Sequence, residues 1–313
     1  MIRRAFLTFI LVAALMPRPA AAQTALRAFA GTWSLVSLEQ GDSLQSLARV
    51  QFPIGILIQD TNGNFIEIVT TQGRSIARTP EGQVRQFTGF TSGWGAFAAS
   101  SPTSVTYTVK GHVDPAMQGQ RIVRTYELKD KDLTMSEPGS PGHPARKITW
   151  RKVQELEAMP AAQEAVIGFW HWDDAGMVSL EGKMLLPTPK RDEGVIVYTP
   201  TGHMAVIYLP PPGRKRFAAP IPTAEEARAA MTDLVTYFGV YLAQPRSSAV
   251  THYQLAIPNP AQVGSSLYRN FRVDGNKLKL TFPQAPLRGS GPPVQNTINL
   301  SRLGGIKEMW PDR

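Results

Sequence analysis

Apolar positions recur along this chain in short runs separated by clusters of Gly, Pro, Asn and Asp, a spacing that predicts strands joined by tight turns. Ile56 to Gln59 and Phe65 to Val69 flank Asp60-Thr61-Asn62-Gly63, and Val195 to Tyr198 and Met204 to Leu209 flank Thr199-Pro200-Thr201-Gly202. Both read as β-hairpins. Later strands are expected around Val105 to Val109, Arg121 to Leu128, Leu133 to Met135 and Ile148 to Lys152. A second set falls near Ala249 to Ile257, Leu267 to Val273, Leu278 to Phe282 and Thr297 to Leu300. The period changes to a helical one after Thr223, where Thr223-x-x-Glu226 forms a capping box and Ala227, Met231, Leu234 and Phe238 follow at helical spacing. The corresponding segment after Thr79 starts with Pro80 but contains Gly82 and Gly89, so its helix is expected to be shorter or frayed.

These elements occur twice. Gly31-Thr32-Trp33 corresponds to Gly168-Phe169-Trp170, and the Gly55 and Gly194 hairpins correspond at a slightly larger offset. Thr79-Pro80-Glu81 leads to Gly95 as Thr223-Ala224-Glu225 leads to Gly239. Val105-Thr106-Tyr107, Pro115, Gly119, Arg124 and Leu133 correspond to Val250-Thr251-His252, Pro260, Gly264, Arg269 and Leu278. The offset grows only across Gly/Pro-rich loops, as insertions into one duplicated unit would make it. A unit of eight or so short strands with one helix is a small closed barrel, which leaves no free sheet edge. The expected fold is therefore all-β, two tandem antiparallel barrels each with a short helix.

Composition agrees: 26 Gly and 26 Pro in 313 residues exceed the combined average of about 12 %. The absence of Cys excludes disulfides, thiolate metal sites and cysteine nucleophiles. At the N-terminus, Met1-Ile2-Arg3-Arg4, the apolar run Ala5 to Met16 and Ala20-Ala21-Ala22 have the order of a secretory signal peptide, too short to span a bilayer. Arg3-Arg4-Ala5-Phe6-Leu7 resembles the twin-arginine motif, and the twin-arginine and general routes both remain open. The expected location is periplasmic or secreted, with no transmembrane segment after cleavage. Cleavage would remove Arg3, Arg4 and Arg18 and lower the formal charge from +9 to +6. Lys and Arg are scattered without interleaved aromatics, so no nucleic-acid surface is expected. The division read from these signals is a signal peptide over 1–22, barrel 1 over 23–153, a linker over 154–164, barrel 2 over 165–303 and a tail over 304–313.

Each repeat resembles the bacterial lipocalin-like domain family. In repeat 2 the resemblance lies in Gly168-Phe169-Trp170, the Gly194 to Gly202 hairpin, Arg216-Phe217-Ala218, and Thr223 through Tyr237-Phe238-Gly239-Val240-Tyr241. Val250-Thr251-His252, Pro260, Val263-Gly264 and Arg269 complete it. Repeat 1 shows it in Gly31 to Ser37, Thr79-Pro80-Glu81, Phe87, Gly95, Pro115, Gly119, Arg124 and Ile148 to Arg151. The chain departs from the family pattern at Tyr253, Leu255 and Gln262, and at Tyr107-Thr108 in repeat 1. The resemblance implies a lipocalin-like barrel with a small hydrophobic ligand.

Arg269 is the sharpest candidate, because Leu267, Arg269, Phe271 and Val273 alternate onto one strand face. Ile122, Arg124, Tyr126 and Leu128 repeat the arrangement. A guanidinium in the middle of an apolar face holds a ligand carboxylate or phosphate, or it pairs with a protein acid or carbonyls. His252 and its counterpart Tyr107 read as lining groups, with proton transfer by His252 the alternative. Trp33 and Trp170 read as packing or stacking residues, and Tyr237, Phe238 and Tyr241 as the lining of a mouth under the helix or as core. The five His never fall at metal-ligand spacing, G-x-S-x-G is absent, and no cofactor is implied. The leading reading is an exported, non-enzymatic protein that binds a small hydrophobic or amphipathic ligand, with an anionic end where the arginines hold it. Repeat 2 is the favoured half. The alternatives are a hydratase, isomerase or cyclase using His252 on an apolar substrate, and an envelope interaction protein with filled barrels and Pro210 to Arg216 as contact surface.

Overall fold

The computed structural model describes residues 26–188, 193–210, 213–244, 246–286 and 291–304. The signal segment 1–22, Pro211-Pro212 and the tail beyond Gly304 lie outside them. Nine strands form the first half: β1 (Gly31–Gly41), β2 (Ala48–Arg49), β3 (Pro53–Gln59), β4 (Asn64–Thr71), β5 (Phe90–Ser101), β6 (Ser104–His112), β7 (Arg121–Lys129), β8 (Asp132–Glu137) and β9 (Ala145–Lys152). Each of β3 to β8 pairs antiparallel with the next, β1 pairs with β3 at one end of this series, and β9 pairs with β1 to close an eight-stranded barrel; β2 is a short addition to β1. The second half repeats this with β10 (Gly168–Ser179), β11 (Met184–Pro187), β12 (Gly194–Tyr198), β13 (His203–Tyr208), β14 (Val235–Gln244), β15 (Ala249–Ala256), β16 (Ser266–Asp274), β17 (Lys277–Thr281), β18 (Ala285–Pro286) and β19 (Pro293–Arg302). Here β10 pairs with β19 to close the barrel, and β11 and β18 are the short additions. At Gly95 and Gly239 the register shifts against the neighbouring strand. A Cβ at either position would strike the carbonyl of Thr108 or Tyr253, so only glycine permits the close approach that bends the sheet.

Two sequence expectations about helices change. The helix after Thr79 spans Pro80–Thr88 and is no shorter than its counterpart Ala224–Met231. Thr79 accepts a hydrogen bond from the Gly82 amide, and Phe87 is buried with Val113, Ala227 and Ala230. Packing between the two helices outweighs the roughly 1 kcal/mol that an interior glycine costs. The capping box at Thr223 and Glu226 is present, but the helix stops at Met231. Asp233, with φ of 58°, turns the chain into β14, so Leu234 and Phe238 are not helical. Tyr237 and Tyr241 instead point from β14 into barrel 2, while Phe238 faces barrel 1.

The strands β3, β4, β12 and β13 are buried along almost their whole length. Alternate residues serve two cores. Leu57, Phe65 and Val69 fill barrel 1, and Ile196, Met204 and Val206 fill barrel 2. Ile56, Ile58, Ile66 and Ile68 pack against Val195, Val197, Ala205 and Ile207 in a third core between the barrels. A strand buried on both faces reads as a continuous apolar run, as these do. Two arginines strap the pair together reciprocally. Arg74 of barrel 1 donates to the carbonyls of Ile257 (2.6 Å) and Pro258 (3.0 Å) in barrel 2. Arg214 of barrel 2 donates to the carbonyls of His112 (2.7 Å) and Val113 in barrel 1. With an apolar core shared between them, the barrels should unfold together: scanning calorimetry of the full chain is expected to show one transition, and two resolved transitions would contradict the shared core.

Candidate functional site

In barrel 1 the inward face of β4 reads Phe65, Glu67, Val69, and that of β7 reads Ile122, Arg124, Tyr126. The charges meet inside. Arg124 Nε donates to Glu137 Oε2 at 2.8 Å, and its terminal nitrogens donate to both oxygens of Glu67. Arg146 Nη2 donates to Glu137 Oε2 at 2.8 Å, and its Nη1 stands 3.7 Å from Glu67 Oε1. Two guanidinium groups and two carboxylates, all buried, thus cancel. Burial disfavours charge on Arg124, but Glu67 and Glu137 outweigh it and raise its pKa. Burial would raise the Glu137 carboxyl, yet Arg146 and Arg124 hold it down at about 2. The Tyr107 ring lies 4.7 Å under the Arg124 guanidinium, and its hydroxyl accepts from Gln59 Nε2 at 3.1 Å.

Above this network is a cavity of about 340 Å³. Phe65, Phe87, Phe90, Val109 and Ile122 supply apolar wall, and the four charged side chains with Tyr107 supply the polar end. His112, Asp114 and His143 stand at its side, with His143 Nε2 3.4 Å from Asp114 Oδ2. Burial, then the nearby His143, lowers the His112 pKa to about 3, so its imidazole is neutral. Pro220 and Pro222 from barrel 2 complete the lining. Both barrels build this site.

Barrel 2 keeps the frame and changes the chemistry. His252 takes the place of Tyr107 and is buried between two phenols, Tyr198 on Nε2 and Tyr237 on Nδ1, each at 2.8 Å. Burial, and then the charge of Arg269, lowers its pKa to about 3; burial also pushes the Tyr237 phenol up to about 12. Tyr241 donates to the Thr199 carbonyl at 3.0 Å. Arg269 is 8 % exposed, stacks 4.0 Å above the Phe282 ring and donates from Nη1 to the Tyr268 carbonyl at 3.1 Å. Among the described residues it makes no ion pair.

The structure therefore gathers Arg124 and Tyr107 at the cavity of barrel 1, and His252, Tyr237 and Arg269 inside barrel 2. Tyr126 is half-buried and stacks edge-on with Phe29 at 4.7 Å. Phe271 is half-buried against the barrel 2 core. Trp170 lies beneath Arg302, and its indole N–H donates to the Val166 carbonyl at 2.7 Å. Trp33 does the same with Phe29 at 2.9 Å. Sequence reasoning overlooked Glu67, Glu137, Arg146, Gln59 and Tyr198. Glu67 had a signal, a lone acid in the run Phe65-Ile66-Glu67-Ile68-Val69. Among the described residues no group of His, Asp and Glu could hold a metal ion. No described helix is long and apolar enough to cross a membrane.

Residues 167–294 match the family model of a lipocalin-like domain. No curated protein matches the chain. A protein of unknown function from the DUF3598 family of Nostoc punctiforme, solved by crystallography, aligns over 90 % of this chain and 99 % of its own, at 9 % identity and a TM-score of 0.23. The family match covers β10 to β18 and the Thr223 helix, and barrel 1 repeats the order and pairing of the barrel strands among them. The chain is a tandem of two closed eight-stranded antiparallel barrels, the second of which matches the lipocalin-like domain.

Proposed function

We propose that this is an exported binding protein that takes a small amphipathic molecule into barrel 1. The cavity itself supports the reading: about 340 Å³, at the lower end of the roughly 300–1,000 Å³ typical of small-molecule sites, with an apolar wall and a polar end. The ligand's apolar part would lie along Phe65, Phe90 and Val109. Its polar end would meet the Arg124–Glu67–Glu137–Arg146 network. Because those four charges already cancel, that end favours a neutral group that donates and accepts hydrogen bonds over an ion. The roof supplied by Pro220 and Pro222 ties uptake to the joined state of the two barrels.

Native mass spectrometry of the protein recovered from the exported fraction without detergent tests both parts. A mature chain beginning at Gln23 with a small-molecule adduct is expected, and Val109→Phe, which fills the cavity, should abolish the adduct. Absence of the chain from the exported fraction would refute export, and a persistently clean apo mass would refute binding.

A further inference from the structure

The two barrels have the same register around their inward arginines. Arg124 pairs with Val105 on one side and bonds Glu137 on the other, and Arg269 pairs with Val250 on one side and stacks on Phe282 on the other. Glu67, paired across the sheet with Leu57, corresponds to Val206, paired with Ile196. Arg146, opposite Glu137, corresponds to Asn296. Barrel 2 has therefore kept the arginine while both carboxylates that neutralise it have become apolar. A cluster of net charge zero in barrel 1 becomes a single positive charge in barrel 2.

Proton accounting at His252 adds a second donor. A neutral imidazole has one N–H and one lone pair, so it accepts from one of its two tyrosines and donates to the other. The tyrosine that accepts from the ring has its own O–H proton left over. Among the described residues nothing accepts it, and Arg269 uses one of its N–H groups, on Tyr268. Leu267, Phe271, Val273 and Phe282 point inward yet stay only half-buried, so this part of the interior is reachable from solvent.

We propose that barrel 2 is an anion site for a carboxylate carried on a short apolar group. The planar guanidinium fork matches a carboxylate's two oxygens, one positive charge balances one negative, and the half-buried apolar side chains cover the carbon chain. This site is separate from the barrel 1 cavity and does not depend on the function proposed for it.

An NMR titration of the mature full chain at neutral pH with hexanoate, and with hexan-1-ol as its uncharged counterpart, tests the site. Read at the resonances of barrel 2 residues, hexanoate should bind at least tenfold more tightly than the alcohol, whose neutral hydroxyl suits the barrel 1 cavity instead. Arg269→Met should remove that preference. Phe282→Glu, which restores the acid that barrel 1 carries at this position, should remove it with the arginine still in place, so the result does not hang on one variant's folding. Arg272→Met, on the outward face of the same strand, and Val109→Phe in barrel 1 should leave hexanoate binding unchanged. Equal binding of acid and alcohol at barrel 2, no binding of hexanoate there, or full preference in a folded Phe282→Glu protein would overturn the proposal. Loss of hexanoate binding in Val109→Phe would place the acid in barrel 1 and also overturn it.

Discussion

Replacing Glu67 by leucine is expected to destabilise the protein by about 3–5 kcal/mol, the usual cost of removing one partner from a buried ion pair. The residue is 3 % exposed, and its carboxylate accepts from both terminal nitrogens of Arg124. Without it, two buried guanidinium groups would share Glu137 alone, with only the cavity above them to offset the remaining charge. The companion variant Glu67→Leu/Arg124→Met should recover much of the loss, because it removes a charge of each sign. Chemical denaturation of the wild type, both single variants and the pair would measure the coupling. A loss below about 1 kcal/mol for Glu67→Leu would mean that the network is solvated in solution. Barrel 2 shows that the frame tolerates apolar groups there, with Val206 and Phe282 in the two acidic positions.

Acidification is expected to weaken the fold steadily below about pH 6.5. His112 and His252 have folded pKa values of about 3 against an ordinary 6.5. As the pH falls from 6.5 towards 3 the unfolded chain takes up two protons that the folded chain refuses, and stability falls. Asp60 acts in the opposite sense. Burial raises it from 3.8 to about 7, so between those values the folded chain holds a proton that the unfolded chain has lost, and acidification stabilises. His171, raised chiefly by its hydrogen bond to Glu193, and His203, lowered by burial, oppose one another. His112 and His252 set against Asp60 leave one proton, or roughly 1.4 kcal/mol lost per pH unit from about pH 6.5 to 4. Glu137, depressed from 4.5 to about 2, adds its own loss below pH 4.5. In His252→Gln the slope between pH 6 and 4.5 should fall close to zero. An unchanged slope in that variant would show that His252 is protonated in the folded protein.

The repeat, the hairpins and the capping box were legible because each depends on local pattern: turn residues between apolar runs, and Thr223 three residues before Glu226. The end of the second helix was not. Leu234 and Phe238 continue its apolar spacing for an unrelated reason, since both pack against the core between the barrels. That core was hidden for a similar reason. A run such as Gly194-Val195-Ile196-Val197-Tyr198 announces a strand, but only the partner surface shows that both of its faces are covered. The inward arginines could be read from alternation. Their pairing could not, because Glu67 reaches Arg124 from a strand 57 residues away, and Glu137, on the adjoining strand, meets it only once the register of that hairpin is known.

The arginine straps have a historical consequence. Arg74 and Arg214 occupy corresponding places in the two repeats, and so do the carbonyls they grip, at His112-Val113 and Ile257-Pro258. An interface in which each half offers the other the same surface is that of a twofold homodimer. The duplicated gene thus carries, within one polypeptide, the contact by which a single-barrel ancestor would have paired with itself. Fusion freed the halves to diverge while keeping the contact. One copy could retain a self-neutralised interior and the other shed its acids, an asymmetry unavailable to two products of one gene.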